Sequence, residues 1–339
     1  INKIKSYEFQ AISVSFNEGE SNTNILKNKN NIKIFLIFLS FFFAFLFFAF
    51  VNYKKLSYIL SKDIVIQNLN QSQLRILLNN EQKEETNLPN VINLKFQVKN
   101  PKTPVLLFNI SSETIQENIK QIEIGGKKYK YTDENSSYIK NTFIFSITGK
   151  YKVKIFLKKK LKTLKNLFSG CEQLFIADFS NFISDEVEDM SGLFNGCLKL
   201  KYVEFGNFNT KNVVDMNNMF NGCKNMISLN LSVFDTRNVL YMNNMFSGCQ
   251  EFKYLELDNF ITNNVIRMDY MFHGCDSLYI LNISNFDISK VKNMSNMFSK
   301  CSSLPSLNIS HFKTNSVEDM SSIFEKCSKL ISLNISTWD

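Results

Sequence analysis

The sequence predicts a repeat solenoid of the α/β class, with a parallel β-sheet along one side and short helices along the other, preceded by a transmembrane helix and a small β domain. Three observations predict it. Cys171, Cys197, Cys223, Cys249, Cys275, Cys301 and Cys327 stand 26 residues apart, and a fixed period of that length marks a repeat array. Across each Cys the apolar pattern changes from spacings of three and four to strict alternation, the change from a helical stripe to a half-buried strand. Residues 34–51 hold no charge and are long enough to cross a bilayer. At 339 residues the chain also exceeds the roughly 100 to 200 residues that one core usually serves.

Charge divides the chain in two. Residues 1–165 carry 26 basic and 12 acidic groups, net +14, whereas residues 166–339 carry 13 and 19, net −6. Residues 1–33 read as a disordered tail. The apolar run 34–51, bounded by Lys33 and by Lys54 and Lys55, contains nine Phe and offers water no polar face, so it reads as a membrane span. A cleaved signal peptide is the rival, but the preceding segment is long and no A-x-A site follows; nor is there a nearby Cys for a lipid anchor. A single signal-anchor is the reading adopted. Lysines near its two ends balance, so the positive-inside rule does not orient it.

Residues 52–90 form a polar stalk, and residues 91–163 a small basic β domain that caps the apolar end of the solenoid. Its strands are expected over residues 91–98, 105–110, 122–131 with Gly125 and Gly126 at a turn, 142–147 and 151–157. Lysines 150, 152 and 154 alternate with Tyr151, Val153 and Ile155, which predicts a strand with a solvated basic face, continued by Lys158, Lys159, Lys160, Lys162 and Lys165. That face suits an anionic membrane, polysaccharide or nucleic acid; the near absence of Arg disfavours nucleic acid as a partner.

Residues 164–339 hold seven 26-residue repeats. Counting from each Cys, positions three, six and eight are apolar, as in Leu278, Leu281 and Ile283, and position eleven is always aromatic, from Phe182 to Trp338. Upstream, apolar residues stand ten, seven, four and three positions before the Cys, as in Val213, Met216, Met219 and Phe220. Each unit is read as a short helix followed by a strand such as Ser228-Leu229-Asn230-Leu231-Ser232, stacked so that the apolar sides bury one another. The Cys lie in the apolar stripe, which predicts a ladder of buried free thiols.

The kernel Met226-x-x-Leu229-x-Leu231 resembles the leucine-rich repeat. The longer string Asn238-Val239-x-x-Met242-x-x-Met245-Phe246-x-Gly248-Cys249, preceded by Phe234-Asp235-Thr236, resembles the BspA-type leucine-rich-repeat surface-protein family. The resemblance covers about residues 164–339 and implies surface display, with the repeats outside the cell, and attachment to hosts, matrix or other cells. It departs from the ordinary leucine-rich repeat at position eleven, where Phe or Trp stands in place of Asn or Cys, so an aromatic stack is expected instead of a side-chain hydrogen-bond ladder.

Catalysis has no candidate residues. The chain has no G-x-S-x-G, Walker A or G-x-G-x-x-G motif, no C-x-x-C and only two histidines, His273 and His311, at unrelated repeat positions. No cofactor or metal is expected. What remains is the outer face of the strands: Tyr202, Ser228 and Tyr254 at position five, with Glu204, Asn230, Glu256, Asn282, Asn308 and Asn334 at position seven. These are the candidate binding residues for a protein or glycan ligand. The expected function is adhesion or recognition by a membrane-anchored surface protein, the alternative an intracellular membrane-tethered scaffold using the same face. Asn230, Asn282, Asn308 and Asn334 also head N-x-S triplets, weak pointers to glycosylation.

Overall fold

Strand β1 (Val91–Val98) buries Ile92, Leu94, Phe96 and Val98 and turns Lys95 to solvent. In the computed structural model, which describes residues 90–109, 117–130, 141–336 and 338, it sits between two elements distant in sequence. On one side it pairs antiparallel with β6 (Gly149–Leu157), and on the other antiparallel with β7 (Leu174–Asp178), the strand of the first repeat. Beyond β6 lies the hairpin of β3 (Ile119–Ile124) and β4 (Lys127–Lys130). Its two-residue turn places Gly125 and Gly126 at φ 57° and 89°, a conformation that Gly alone adopts freely. Beyond β7, β8 (Tyr202–Glu204) adds in parallel, giving the order β4-β3-β6-β1-β7-β8. The basic domain and the solenoid therefore share one sheet. A second ladder, β2 (Pro104–Leu106) with β5 (Thr142–Ile144), adds Val105 to the same continuous core.

Further along, β9 (Tyr254–Glu256) pairs in parallel with β10 (Ile280–Asn282), and β11 (Ser306–Asn308) with β12 (Ser332–Asn334). At the gap between β10 and β11 the sequence withholds a donor. The position-four amides of Lys201, Tyr279 and Ile331 donate to the preceding repeat, to Phe175 O at 3.0 Å, Lys253 O at 2.9 Å and Pro305 O at 2.9 Å. Position four of the sixth repeat is Pro305, which has no N–H. The strand expected at residues 228–232 is also missing; this segment has no strand pairing.

The structure corrects the expected α/β class. Among the described residues there are twelve strands and no helix, and none of them forms a helix long and apolar enough to cross a membrane. The tail, the apolar run 34–51 and the stalk up to residue 89 lie outside the described residues.

The hydrogen bonds of residues 216–223 explain the absent repeat helix. Amides of Met216, Asn218, Phe220 and Gly222 donate to carbonyls of Tyr241, Asn243, Met245 and Ser247 in the next repeat, at 2.7–3.0 Å. Between them, Met219, Asn221 and Cys223 donate to the carbonyl three residues back. An α-helix needs its amides for the carbonyl four back, so alternate donation to a neighbour excludes it. The left-handed φ of 54° at Asn218, 57° at Asn244 and 55° at Asn296, five residues before each Cys, breaks it as well. The same register continues as parallel bridges from Thr163 through Asp189, Asp215, Tyr241, Arg267 and Asn293 to Asp319. The side expected to be helical is thus the more continuous backbone ladder. Turns of three residues leave the same apolar spacing as a helix, which is why the pattern reads as one.

The two readings differ in sign for one substitution. In a helix Asn244→Ala stabilises by about 0.5 kcal/mol; in a left-handed turn it destabilises by about 1 kcal/mol, whereas Asn244→Gly is neutral or better. Urea melts of the two variants are expected to rank Gly above Ala.

The core is built in columns, one residue of each repeat above its equivalent. Phe168, Phe194, Phe220, Phe246, Phe272, Phe298 and Phe324, three positions before each Cys, stack ring on ring with centroids 5.6–5.8 Å apart. The aromatic stack expected at position eleven is shorter, running from Phe182 through Phe208 to Phe234. Nor are side-chain ladders replaced. Thr210 Oγ1 donates to Asp235 O and accepts the Asp235 amide, and Thr236 and Thr262 repeat this double bond with residues 25 further on.

The thiols form a ladder of their own. Each Cys Sγ from Cys197 to Cys327 donates to the carbonyl of the column Phe of the preceding repeat at 3.0–3.3 Å. All seven are free, and all but the half-buried Cys327 are fully buried, as the apolar context predicts. Burial pushes every one of these thiols above its ordinary range.

Candidate functional site

Alternation along β8, β9 and β11 turns positions five and seven of the repeat outward while position six is buried. In-register pairing then lines equivalent residues into lanes: Tyr254 lies beside Ile280, and Glu256 beside Asn282.

Lane seven has a structural task that the sequence reading did not assign. The Oδ1 atoms of Asn230, Asn282, Asn308 and Asn334 accept the backbone N–H of Ser232, Ser284, Ser310 and Ser336 at 3.0–3.3 Å. Asn282 and Asn308 also accept the hydroxyl of that serine at 2.9 Å. Asp178 and Glu204 make the equivalent bond to Ser180 and Gly206. These side chains end the strand by capping the next turn, the usual local role of Asn and Asp. The N-x-S triplets are the visible mark of that turn, and Asn293 repeats it with Ser295 on the opposite ladder. A ligand reaches only the remaining polar atoms of lane seven.

Lane five, with its neighbour at position four, carries the apolar exposure. Tyr202 and Tyr254 are 42% and 60% exposed, and Ser228 is exposed beside them. The structure adds Ile227, Tyr279 and Ile280, at 43%, 55% and 49%, which sequence reasoning passed over. Position four follows an inward residue directly and was assigned to no face; the available signal was an aromatic or branched side chain just after the inward Leu278 or Met226. Lysines 201 and 253 share position four, while Glu204 and Glu256 stand on the other side of the lane, so charge flanks the apolar strip.

Neither histidine builds a reactive group. His311 Nε2 lies 3.2 Å from Ile283 O, and burial, with Lys300 nearby, holds His273 below its usual range. Among the described residues no three His, Cys, Asp or Glu side chains converge to hold a metal. Bidentate pairs such as Arg267 with Asp269, at 2.9 Å, lie within one turn and brace the opposite ladder.

A family model described as "Mycoplasma protein of unknown function, DUF285" matches residues 162–279 and 247–339, just over half of the sequence. The chain belongs to the DUF285 family. The match starts beside the first bridge residue, Thr163, and runs through the whole repeat array, so the family's region here is the laddered solenoid. Among solved structures, this DUF285 chain is similar to a leucine-rich repeat protein from Bacteroides ovatus ATCC 8483, at 19% identity and a TM-score of 0.36. The alignment covers 59% of this chain and 43% of that one, so the DUF285 chain spans less than half the length of that protein. No curated protein matches it.

Proposed function

We propose that this repeat protein is a non-catalytic recognition protein, tethered to a membrane through the apolar run 34–51, whose strand face holds a protein or glycan ligand outside the cell. The observation that carries this reading is the exposure of Tyr202, Ile227, Tyr254, Tyr279 and Ile280 along the strand side of repeats whose opposite side forms an unbroken ladder, with parallel pairing also joining Tyr254 to Ile280. Large side chains held at fixed spacing on a rigid scaffold bind with little loss of conformational freedom, and Tyr contributes both apolar area and a hydroxyl. The resemblance of residues 234–249 to BspA-type surface proteins supports display outside the cell. Seven free thiols do not argue for the cytosol here, because six are fully buried and shielded from oxidants.

An array of matrix proteins and glycans probed with the full chain tests the reading. At least one component is expected to bind, and Tyr254→Ser with Tyr279→Ser is expected to weaken it by about tenfold or more, around 1.4 kcal/mol. An array without a binder, or a binder indifferent to both tyrosines, overturns recognition by this face. A C-terminal tag in sealed vesicles is expected to resist added protease; a digested tag overturns extracellular display.

A further inference from the structure

The shared sheet brings together two lysines that physical chemistry would keep apart. Lys95 on β1 and Lys152 on β6 are direct cross-strand partners on the solvent face. Like charges placed so destabilise a sheet, and among the described residues neither has an acidic partner within ion-pair distance. The next lysine along, Lys154, is by contrast paired with Glu123 at 3.4 Å. Lys95 and Lys152 line a groove where the cap meets the first two repeats, together with Lys154, Ile176, Asp178 and Glu204.

More positive charge gathers beside it. The ammonium groups of Lys150 and Lys201 lie 5.3 and 5.8 Å from the centre of the Phe175 ring. Lys199 donates to Gln173, and burial together with the charge of Lys99 holds it below the usual lysine range. Lys150 and Lys201 thus flank Phe175, the chain neighbour of the groove residue Ile176, while Lys199 stands beside Gln173 at the edge of the same strand.

We propose that this groove binds an acidic polysaccharide. Lysine ammonium groups neutralise carboxylate or sulfate as point charges, while the half-buried Phe175 ring and Ile176 side chain offer their open edges to the apolar face of a sugar. Asp178 and Glu204 each give one oxygen to a backbone amide and keep another for sugar hydroxyls. No Arg stands between Arg75 and Arg237, so the planar fork that favours phosphate backbones is missing. The groove lies at one end of the strand face and does not depend on Tyr254 or Tyr279.

The full chain, reconstituted in neutral phosphatidylcholine nanodiscs, is tested with heparin, neutral dextran, phosphatidylserine vesicles and a single-stranded oligonucleotide. Heparin alone is expected to bind, more weakly as salt rises from about 50 to 200 mM. Lys152→Glu sets a carboxylate opposite Lys95, so it is expected to raise the melting temperature while weakening heparin binding about tenfold or more. Lys329→Glu, the same charge change in the last repeat, is expected to leave binding unaltered. If Lys152→Glu does not fold, Lys152→Gln takes its place and is expected to lose heparin as well. Binding that survives at position 152, equal loss at position 329, or tighter binding to vesicles or oligonucleotide than to heparin overturns the proposal. The Tyr254 and Tyr279 variant retains heparin binding, which separates this site from the strand-face ligand.

Discussion

Leu255→Asp unfolds the middle of the solenoid and leaves its capped end intact. Leu255, at position six of its repeat on β9, is 2% exposed, with Leu281 as its partner on β10. Removing the leucine side chain alone costs about 2–5 kcal/mol, and burying an unpaired carboxylate adds several more. Stacked repeats touch only their neighbours, so the loss is local at first. Hydrogen exchange is expected to show amides of the flanking ladders, such as Phe246 and Phe272, losing protection while those of β1 and β6 keep theirs. Asn282→Asp supplies the contrast. Its carboxylate accepts the Ser284 amide as the amide oxygen does now, and Asp178 already performs this task in the first repeat. That change is expected to stay within about 0.5 kcal/mol. Equal tolerance of the two substitutions would sink the inward and outward assignment.

That assignment was legible because a buried column forces the same choice in every repeat. Leu174, Leu200, Met226, Phe252, Leu278 and Leu304 at position three, and the Phe three before each Cys, have no freedom to become polar without opening the core. The secondary structure of the second ladder was less legible. Met216, Met219 and Phe220 fit a helix and a chain of three-residue turns equally well, since both return the chain to the same side at those intervals. The deciding signals sat between the apolar residues: Asn five positions before the Cys in several repeats, and Gly just before it from Gly170 to Gly274, each at positive φ. Those Gly stack closely as well, a Cβ on Gly248 coming within 3.5 Å of Gly222 Cα.

The candidate site divided along similar lines. The exposure of Tyr202 and Tyr254 was legible because alternation turns them outward. The Asn of lane seven, candidate ligand groups by their outward register, also cap turns, and the Ser two residues on is the local signal for that second task. Pairing of Lys95 with Lys152 joins residues 57 apart, and no local pattern announces it.

Stability falls steeply above pH 9, because the folded array keeps protons that the unfolded chain gives up. A thiol is neutral when protonated, and burial raises its pKa from an ordinary 9.0, strongly for Cys171, Cys197, Cys223, Cys249, Cys275 and Cys301. Below pH 9 both states hold the proton and the contribution is complete. Above it the unfolded chain binds fewer protons, so stability drops by about 1.4 kcal/mol per pH unit for each thiol until its folded pKa is reached. Six thiols unfolding together set a slope of about 8 kcal/mol per pH unit. Cys327, half-buried, adds less. Cys249→Ser isolates one contribution, since serine keeps a donor for Phe220 O and does not titrate in this range. Urea melts from pH 8 to 10.5 are expected to show the variant gaining about 2 kcal/mol on the parent across that interval, whatever their order at pH 8. Parallel curves would mean that Cys249 loses its proton in the folded chain, and so that the thiol column is open to water. The same burial makes alkylation a gauge of opening: Cys327 reacts first, and labelling of the inner thiols waits for the repeats around them to part.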